Sequence, residues 1–172
     1  MIRLILISIL MTSFAKGYCQ DTIELTGLRL QFDNLGNPIM YSISSNKLFT
    51  GIAVSYSSNH QIELSQEYEY GSLIRETDFY NNHAIKSISN YNSKGLRSGE
   101  YAEFDSIGNL SVHGQYVNDE LDGLWIYFLN NRISMISQYK LGSKEGTWLY
   151  YDIDGNSTKQ EKYINNKIVI KN

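Results

Sequence analysis

One cysteine and one proline among 172 residues set the first limits. A lone cysteine forms no intramolecular disulfide and cannot build a zinc site that needs two or more thiolates. Charge is scarce too, with Asp, Glu, Lys and Arg making up 19% of the chain. Low charge with many aromatics excludes a disordered chain. No apolar run reaches the roughly 20 residues of a membrane-spanning helix, and no Gly-rich phosphate loop, nucleophile elbow or zinc signature occurs. Tyrosine is what the chain has in excess: 14 Tyr against 6 Phe and 2 Trp. Abundant Tyr with scarce Pro suits pleated, half-buried strands better than helices. The length gives room for one ordinary domain.

Residues 1–19 carry Arg3, an apolar run from Leu4 to Met11, and small residues after it. That is the shape of a secretory signal peptide, cleaved after Ala15 or just before Gln20. A buried N-terminal strand is the alternative. Cys19 stands near the place of a lipidated cysteine, but Lys16-Gly17-Tyr18 is not the Leu-small-small run that precedes one. The expectation is an exported chain of the periplasm, cell envelope or exterior, with 20–172 as its mature domain. Its charge changes accordingly. The whole chain has 15 basic and 18 acidic residues; without Arg3 and Lys16, thirteen remain against eighteen, a net −5. A mildly acidic chain lacks the clustered Lys and Arg that nucleic acid or anionic membranes require.

An internal repeat is the strongest signal. Gly99-Glu-Tyr-Ala-Glu-Phe104, Gly123-Leu-Trp-Ile-Tyr-Phe128 and Gly146-Thr-Trp-Leu-Tyr-Tyr151 each place aromatics two and five residues after Gly. The same period backwards reaches Arg75, Gly51 and Gly27, so copies starting near 27, 51, 75, 99, 123 and 146 tile the chain. A closing Tyr follows 16 or 17 residues after most starts: Tyr68, Tyr91, Tyr116, Tyr139 and Tyr163. The first copy has Ile43 there and is degenerate. Three copies share an Asp-x-x-Gly-Asn turn, at Asp33–Asn37, Asp105–Asn109 and Asp152–Asn156. Gly and Asn accept positive φ and Asp bonds its own backbone, so these are turns by mechanism. Two strands per unit with no helical period between them predict an all-β antiparallel meander of consecutive hairpins.

Strand alternation then sorts the side chains. Positions three and five after Gly share a face, as in Val54/Tyr56, Ala102/Phe104, Ile126/Phe128 and Leu149/Tyr151. Being apolar in most copies, that face is expected to carry the core. The opposite face holds positions two and four: Ala53/Ser55, Thr77/Phe79, Tyr101/Glu103, Trp125/Tyr127 and Trp148/Tyr150. Here two readings stay open for Tyr101, Trp125, Tyr127, Trp148 and Tyr150. An open ladder of rigid rings would be a partner-binding surface; rings packed on the closing tyrosines would be a second core layer.

Gly51, Gly99, Gly123 and Gly146, with Trp125, Trp148 and the closing tyrosines, resemble the MORN repeat. The likeness is strongest to the bacterial YwqK-type proteins labelled as antitoxins of toxin–antitoxin systems. It covers about Leu48 to Lys167 well and 27–47 weakly, and Arg75-Glu76-Thr77 departs from it. The resemblance implies an elongated, twisted sheet of about six hairpin repeats, and its motif names no catalytic group.

Other candidates point to turns and solvated faces. His60 and His83 fall on equivalent turns, where two imidazoles with a carboxylate could hold a metal; exposed turn residues are the simpler reading. His113 has no Ser or Cys partner for a triad. Asp152–Asn156 fails as a calcium loop, with Gly fourth rather than sixth and Tyr163 in place of the twelfth-position Glu. Glu100/Glu103 and Glu67/Glu69 read as surface carboxylates. The expectation is a non-enzymatic exported scaffold without cofactor or metal, mediating protein–protein interaction. The alternatives are neutralisation of a toxin by binding, or glycan binding at the envelope. Edge strands make self-association possible, with Ile168-Val-Ile170 capping one edge.

Overall fold

The computed structural model describes residues 21–171, so the expected signal peptide lies outside the described residues. The strands are β1 (Asp21–Glu24), β2 (Leu28–Phe32), β3 (Pro38–Ser42), β4 (Gly51–Tyr56), β5 (Ile62–Glu69), β6 (Ser72–Phe79), β7 (Ile85–Tyr91) and β8 (Arg97–Phe104). They continue as β9 (Leu110–Val117), β10 (Glu120–Leu129), β11 (Arg132–Lys140), β12 (Ser143–Lys144), β13 (Gly146–Tyr151), β14 (Ser157–Ile164) and β15 (Lys167–Lys171). From β4 to β15 each strand pairs antiparallel with the next in one large sheet, the two-residue β12 lying beside β11. β1 joins the same sheet parallel to β4. The all-β meander read from the repeat is the fold.

Two turn chemistries make the hairpins. Tyr70-Gly71, Asn118-Asp119, Asn130-Asn131, Leu141-Gly142 and Asn165-Asn166 each have two consecutive positive φ angles. That is the type I′ geometry whose twist matches antiparallel strands. The Asp-x-x-Gly-Asn turns work differently. Asp105 Oδ1 accepts the N–H groups of Ile107 and Asn109, at 3.0 and 2.8 Å, while Oδ2 accepts from the Asn109 amide at 2.9 Å. Asp33 and Asp152 repeat the pattern. Gly36, Gly108 and Gly155 supply φ of +80°, +88° and +86°. His60 and His83, at +59° and +66°, occupy the corresponding turn position in their copies. Both are exposed turn residues, and no cluster of metal-ligand type occurs among the described residues.

The pairing places the repeat landmarks opposite one another: Gly51 with Tyr68, Gly99 with Tyr116, Gly123 with Tyr139 and Gly146 with Tyr163. Three sequence expectations are corrected. The first copy is a hairpin, β2 with β3, but it forms a separate two-stranded sheet instead of opening the meander. The copy placed at Arg75 is out of step by one residue. Arg75 pairs with Asn90, so Glu76 and Asp78, not Thr77 and Phe79, share the face of Tyr101 and Trp125. A one-residue slip exchanges the faces of a strand. The third correction concerns the core. Ala53, Tyr68, Trp125 and Trp148 are buried, whereas Ala102, Ile126, Phe128 and Leu149 are only half-buried. The core therefore lies on the face of positions two and four. On the other face only Val54 is buried at the expected positions.

Candidate functional surfaces

The first face carries one continuous row of rings. Tyr101 lies 5.6 Å from Trp125, and Tyr116 meets both edge-on at 5.5 and 5.1 Å. The row continues through Tyr139 to Trp148 and Tyr163, with centroids 6.5, 5.2 and 5.0 Å apart. Edge-to-face and tilted pairs at these distances add stability beyond their burial. Each indole N–H donates to a neighbouring backbone carbonyl, Trp125 to Gln115 at 3.2 Å and Trp148 to Gln138 at 3.1 Å. The room for these rings comes from small residues across the ladder. Trp125 lies against Gly114, and the fully buried Ser137 pairs with it on the other side.

At the N-terminal end polar residues replace the rings. Glu76 accepts from Gln66 at 2.6 Å and from the Tyr91 hydroxyl at 3.1 Å, and Ser87 donates to Asp78 at 2.6 Å. Burial and the nearby Glu76 charge push Tyr68 up to about 12. Burial with the Glu103 charge raises Tyr101. At the far end Glu161 is buried, pairs with Lys159 at 2.7 Å, and accepts from Tyr150 and Tyr163 at 3.0 Å each. The Lys159 hydrogen bond, aided by both tyrosines, holds the Glu161 carboxyl below its usual range. Burial and Glu161 raise Tyr150 to about 12, and burial leads the rise of Tyr127 to about 12.

Of the five ladder residues, Tyr101, Trp125 and Trp148 are joined into this packed row, while Tyr127 and Tyr150 stand on the same face beside it. Trp125 and Trp148 are 3% and 5% exposed, while Tyr101, Tyr127 and Tyr150 are half-buried. Cations cover what the rings leave open: Arg97 sits 4.2 Å from the Tyr116 ring, Lys144 4.5 Å from Trp148 and Lys159 4.6 Å from Tyr150. The N-terminal segment closes the other end. Leu25, Leu28 and Met40 pack on the cluster of Phe49, Ala53 and Tyr68.

The second face has no such cover among the described residues. The main inter-element contacts join ladder neighbours, apart from β3 against β6 and the Leu25–Gly27 turn against β4. Its central row runs by direct pairing from Val54 through Ile88, Ala102, His113, Ile126 and Leu149 to Gln160. Beside it stand Phe79, Phe104, Phe128 and Tyr151, the first three opposite Ile85, Leu110 and Ile133. Neither row contains an Asp, Glu, Lys or Arg from β4 to β14. His113 belongs to this apolar row. Sequence reading assigned these residues to the core and so missed them as a surface. A periodic small residue two before the closing Tyr (Ser89, Gly114, Ser137) was the available signal that the large rings pack on the opposite side.

No family model matches the chain, and no curated protein matches it. Among solved structures it is similar to one described as the crystal structure of accessory secretory protein 1,2 and 3 in Streptococcus pneumoniae. The match is 14% identical with a TM-score of 0.29, covering 77% of this chain and 23% of that chain. This chain spans less than a quarter of that protein's length, and a likeness at that level carries no functional argument.

Proposed function

We propose that the protein is an exported, non-enzymatic scaffold of MORN-like hairpin repeats that binds a protein partner through the second face of its sheet. The observation that carries this reading is the double row without Asp, Glu, Lys or Arg, half-buried for the most part and with no other element packed over it among the described residues, while the opposite face packs its own rings. Extended apolar surface of this kind marks interaction sites in monomeric proteins. With Trp125 and Trp148 buried, sugar stacking on them lacks an open ring face, so protein is the better-fitting partner. Toxin neutralisation would be one form of the same binding; rescue of growth from a neighbouring gene product would identify that partner. The export proposal rests on residues 1–19 and is tested by the N-terminal sequence of the chain recovered from the envelope fraction.

The binding proposal is tested by immobilising the chain in envelope extract and identifying retained protein by mass spectrometry. Ile126→Glu places a carboxylate in the row and should abolish retention. Leu35→Glu, at an exposed apolar residue in a distant turn, should leave it intact. Retention that Ile126→Glu leaves unchanged overturns the assignment of this face.

A further inference from the structure

We infer that β2 is the edge through which two copies of this chain join. Each adds its β2 antiparallel to the other's about a two-fold axis at Leu30, so that the two β2–β3 hairpins make one four-stranded sheet. The contact uses neither row of the second face and stands without the binding reading above. Three observations support it.

The first is the backbone of β2, which pairs with β3 alone. The Ile43 N–H donates to Gly27 at one end of this ladder, and the Asp33 N–H to Asn37 at the other. Antiparallel bonding alternates, so Arg29 and Gln31 bond to β3, while Leu28, Leu30 and Phe32 turn their N–H and C=O groups outward. On the far side of β3 the corresponding groups of Met40 are used, its N–H donating to Gly71 and its carbonyl accepting from Phe49. On the β2 side the Leu28 N–H donates to Leu25. The outward groups of Leu30 and Phe32 have no backbone partner among the described residues. A two-stranded sheet is marginal by itself, and two further strands strengthen it.

The second is that β2 lacks the devices that guard an open edge. The outer strands of the main sheet begin and end on charged residues, Asp21 and Glu24 in β1, Lys167 and Lys171 in β15. The ladders from β4–β5 to β10–β11, and those of β13–β14 and β14–β15, all contain register shifts. Charge and bulges of this kind block pairing with another chain. The β2–β3 ladder runs through five pairs without a shift. β2 contains no Lys and no Pro, and its Leu30 and Phe32 are 48% and 66% exposed.

The third is the register, which names the occupant. With the axis at Leu30, the two copies exchange the Leu30 N–H and C=O groups as one close pair. Each Phe32 N–H then reaches the second copy's Leu28 carbonyl, and no bond between β2 and β3 is broken. Opposed residues share a face. Leu30 meets the second copy's Leu30, and Phe32 meets its Leu28, which packs on the cluster of Phe49, Ala53 and Tyr68. On the other face Arg29 stands opposite the second copy's Gln31, so like charges are not set against each other. Arg29 and Asp33 are the only charged residues in 27–43, so the contact adds nothing to the repulsion between two net-acidic chains. Isologous contacts require such self-complementarity.

One short strand per copy buries less than the about 1,200 Å² of stable complexes, so the dimer is weak and forms at about micromolar concentrations or above. The test is sedimentation velocity on the full chain, expressed with its own leader, over a dilution series from about 500 to 5 μM. The wild type should sediment as a dimer that dissociates on dilution. Leu30→Lys and Leu30→Glu each place like charges together at the axis and should weaken dimerisation about tenfold or more. Because position 30 faces itself, an equimolar mixture of those two variants should restore the dimer, which a misfolded hairpin would not do. Leu30→Pro removes the outward N–H and keeps the β2–β3 bonds, since proline is tolerated on the open side of an edge strand. It should abolish the dimer with an unchanged circular dichroism spectrum. A wild type that stays monomeric throughout overturns the inference, as does a dimer that the Leu30 variants leave unaltered. Failure of the mixture to dimerise, with each variant folded and monomeric alone, overturns the axis at Leu30.

Discussion

Gly114→Ala probes the packing at its closest point. Gly114 lies in β9 beneath the indole of Trp125, and its backbone is outside the left-handed region, so alanine meets no conformational objection there. A Cβ would instead stand 2.8 Å from Cε3 of the indole, and closer still to the ring-fusion atoms Cδ2 and Cε2. The ring has little freedom to yield. Tyr101 and Tyr116 hold it at 5.6 and 5.1 Å, and its N–H is bonded to Gln115. Overpacking of this kind costs about 1–3 kcal/mol. Alanine recovers about 0.5–1 kcal/mol of backbone entropy relative to glycine in a strand. The net loss is therefore about 1–2 kcal/mol, a fall of several degrees in Tm for a chain of this size. Urea and thermal unfolding, with near-UV circular dichroism of the indole, measure it. The same substitution in a Trp125→Leu background should become neutral or stabilising, since the clash is gone. The resulting coupling should be about 1–3 kcal/mol, as for residues in direct contact. An equal effect of Gly114→Ala in both backgrounds would refute the packing argument.

Trp125→Ala should destabilise the fold by about 3–5 kcal/mol, as for other buried large aromatics, measured by urea unfolding. Gly108 has φ of +88° and nothing within 4 Å of its Cβ position, so its substitutions isolate the backbone term. Gly108→Val should lower Tm more than Gly108→Asn, because Asn tolerates the left-handed region and β-branched residues do not. Stability should also fall at both pH extremes. Glu161 and the turn carboxylates Asp33, Asp105 and Asp152 are depressed in the fold. Their stabilisation is present above the ordinary carboxylate range and is lost as pH falls through their folded values. Tyr68, Tyr127 and Tyr150 are raised to about 12. Their contribution is complete below pH of about 10 and is lost as pH climbs through the raised values. Absorbance titration of tyrosinate should show delayed ionisation coinciding with loss of near-UV signal. Ionisation of all tyrosines near their ordinary value, without unfolding, would contradict the packed row.

Local chemistry determined much of this protein from sequence alone. The Asp-x-x-Gly-Asn turns, the recurring Gly and the closing Tyr specify hairpins whose cross-strand pairs are Gly51–Tyr68, Gly99–Tyr116, Gly123–Tyr139 and Gly146–Tyr163. Each of those signals acts within one hairpin, so it survives without knowledge of the rest. The register of β6 did not, because its copy has lost the Gly and one residue of spacing decides which side chains face inward. The placement of the β2–β3 hairpin outside the meander was equally invisible. It depends on Met40 and Phe49 bonding to Gly71, a contact between distant segments.

The side of the sheet that becomes the core was decided by tertiary packing. Both faces carry apolar side chains, and composition alone favours the aliphatic one. The rings win because Gly114 and Ser137 open slots in neighbouring strands, Trp125 and Trp148 bond their N–H groups to nearby carbonyls, and cations cover their outer surface. Those terms exist only once the strands stand side by side. They turn the tyrosine-rich face into the interior and leave the plainer aliphatic face half-buried.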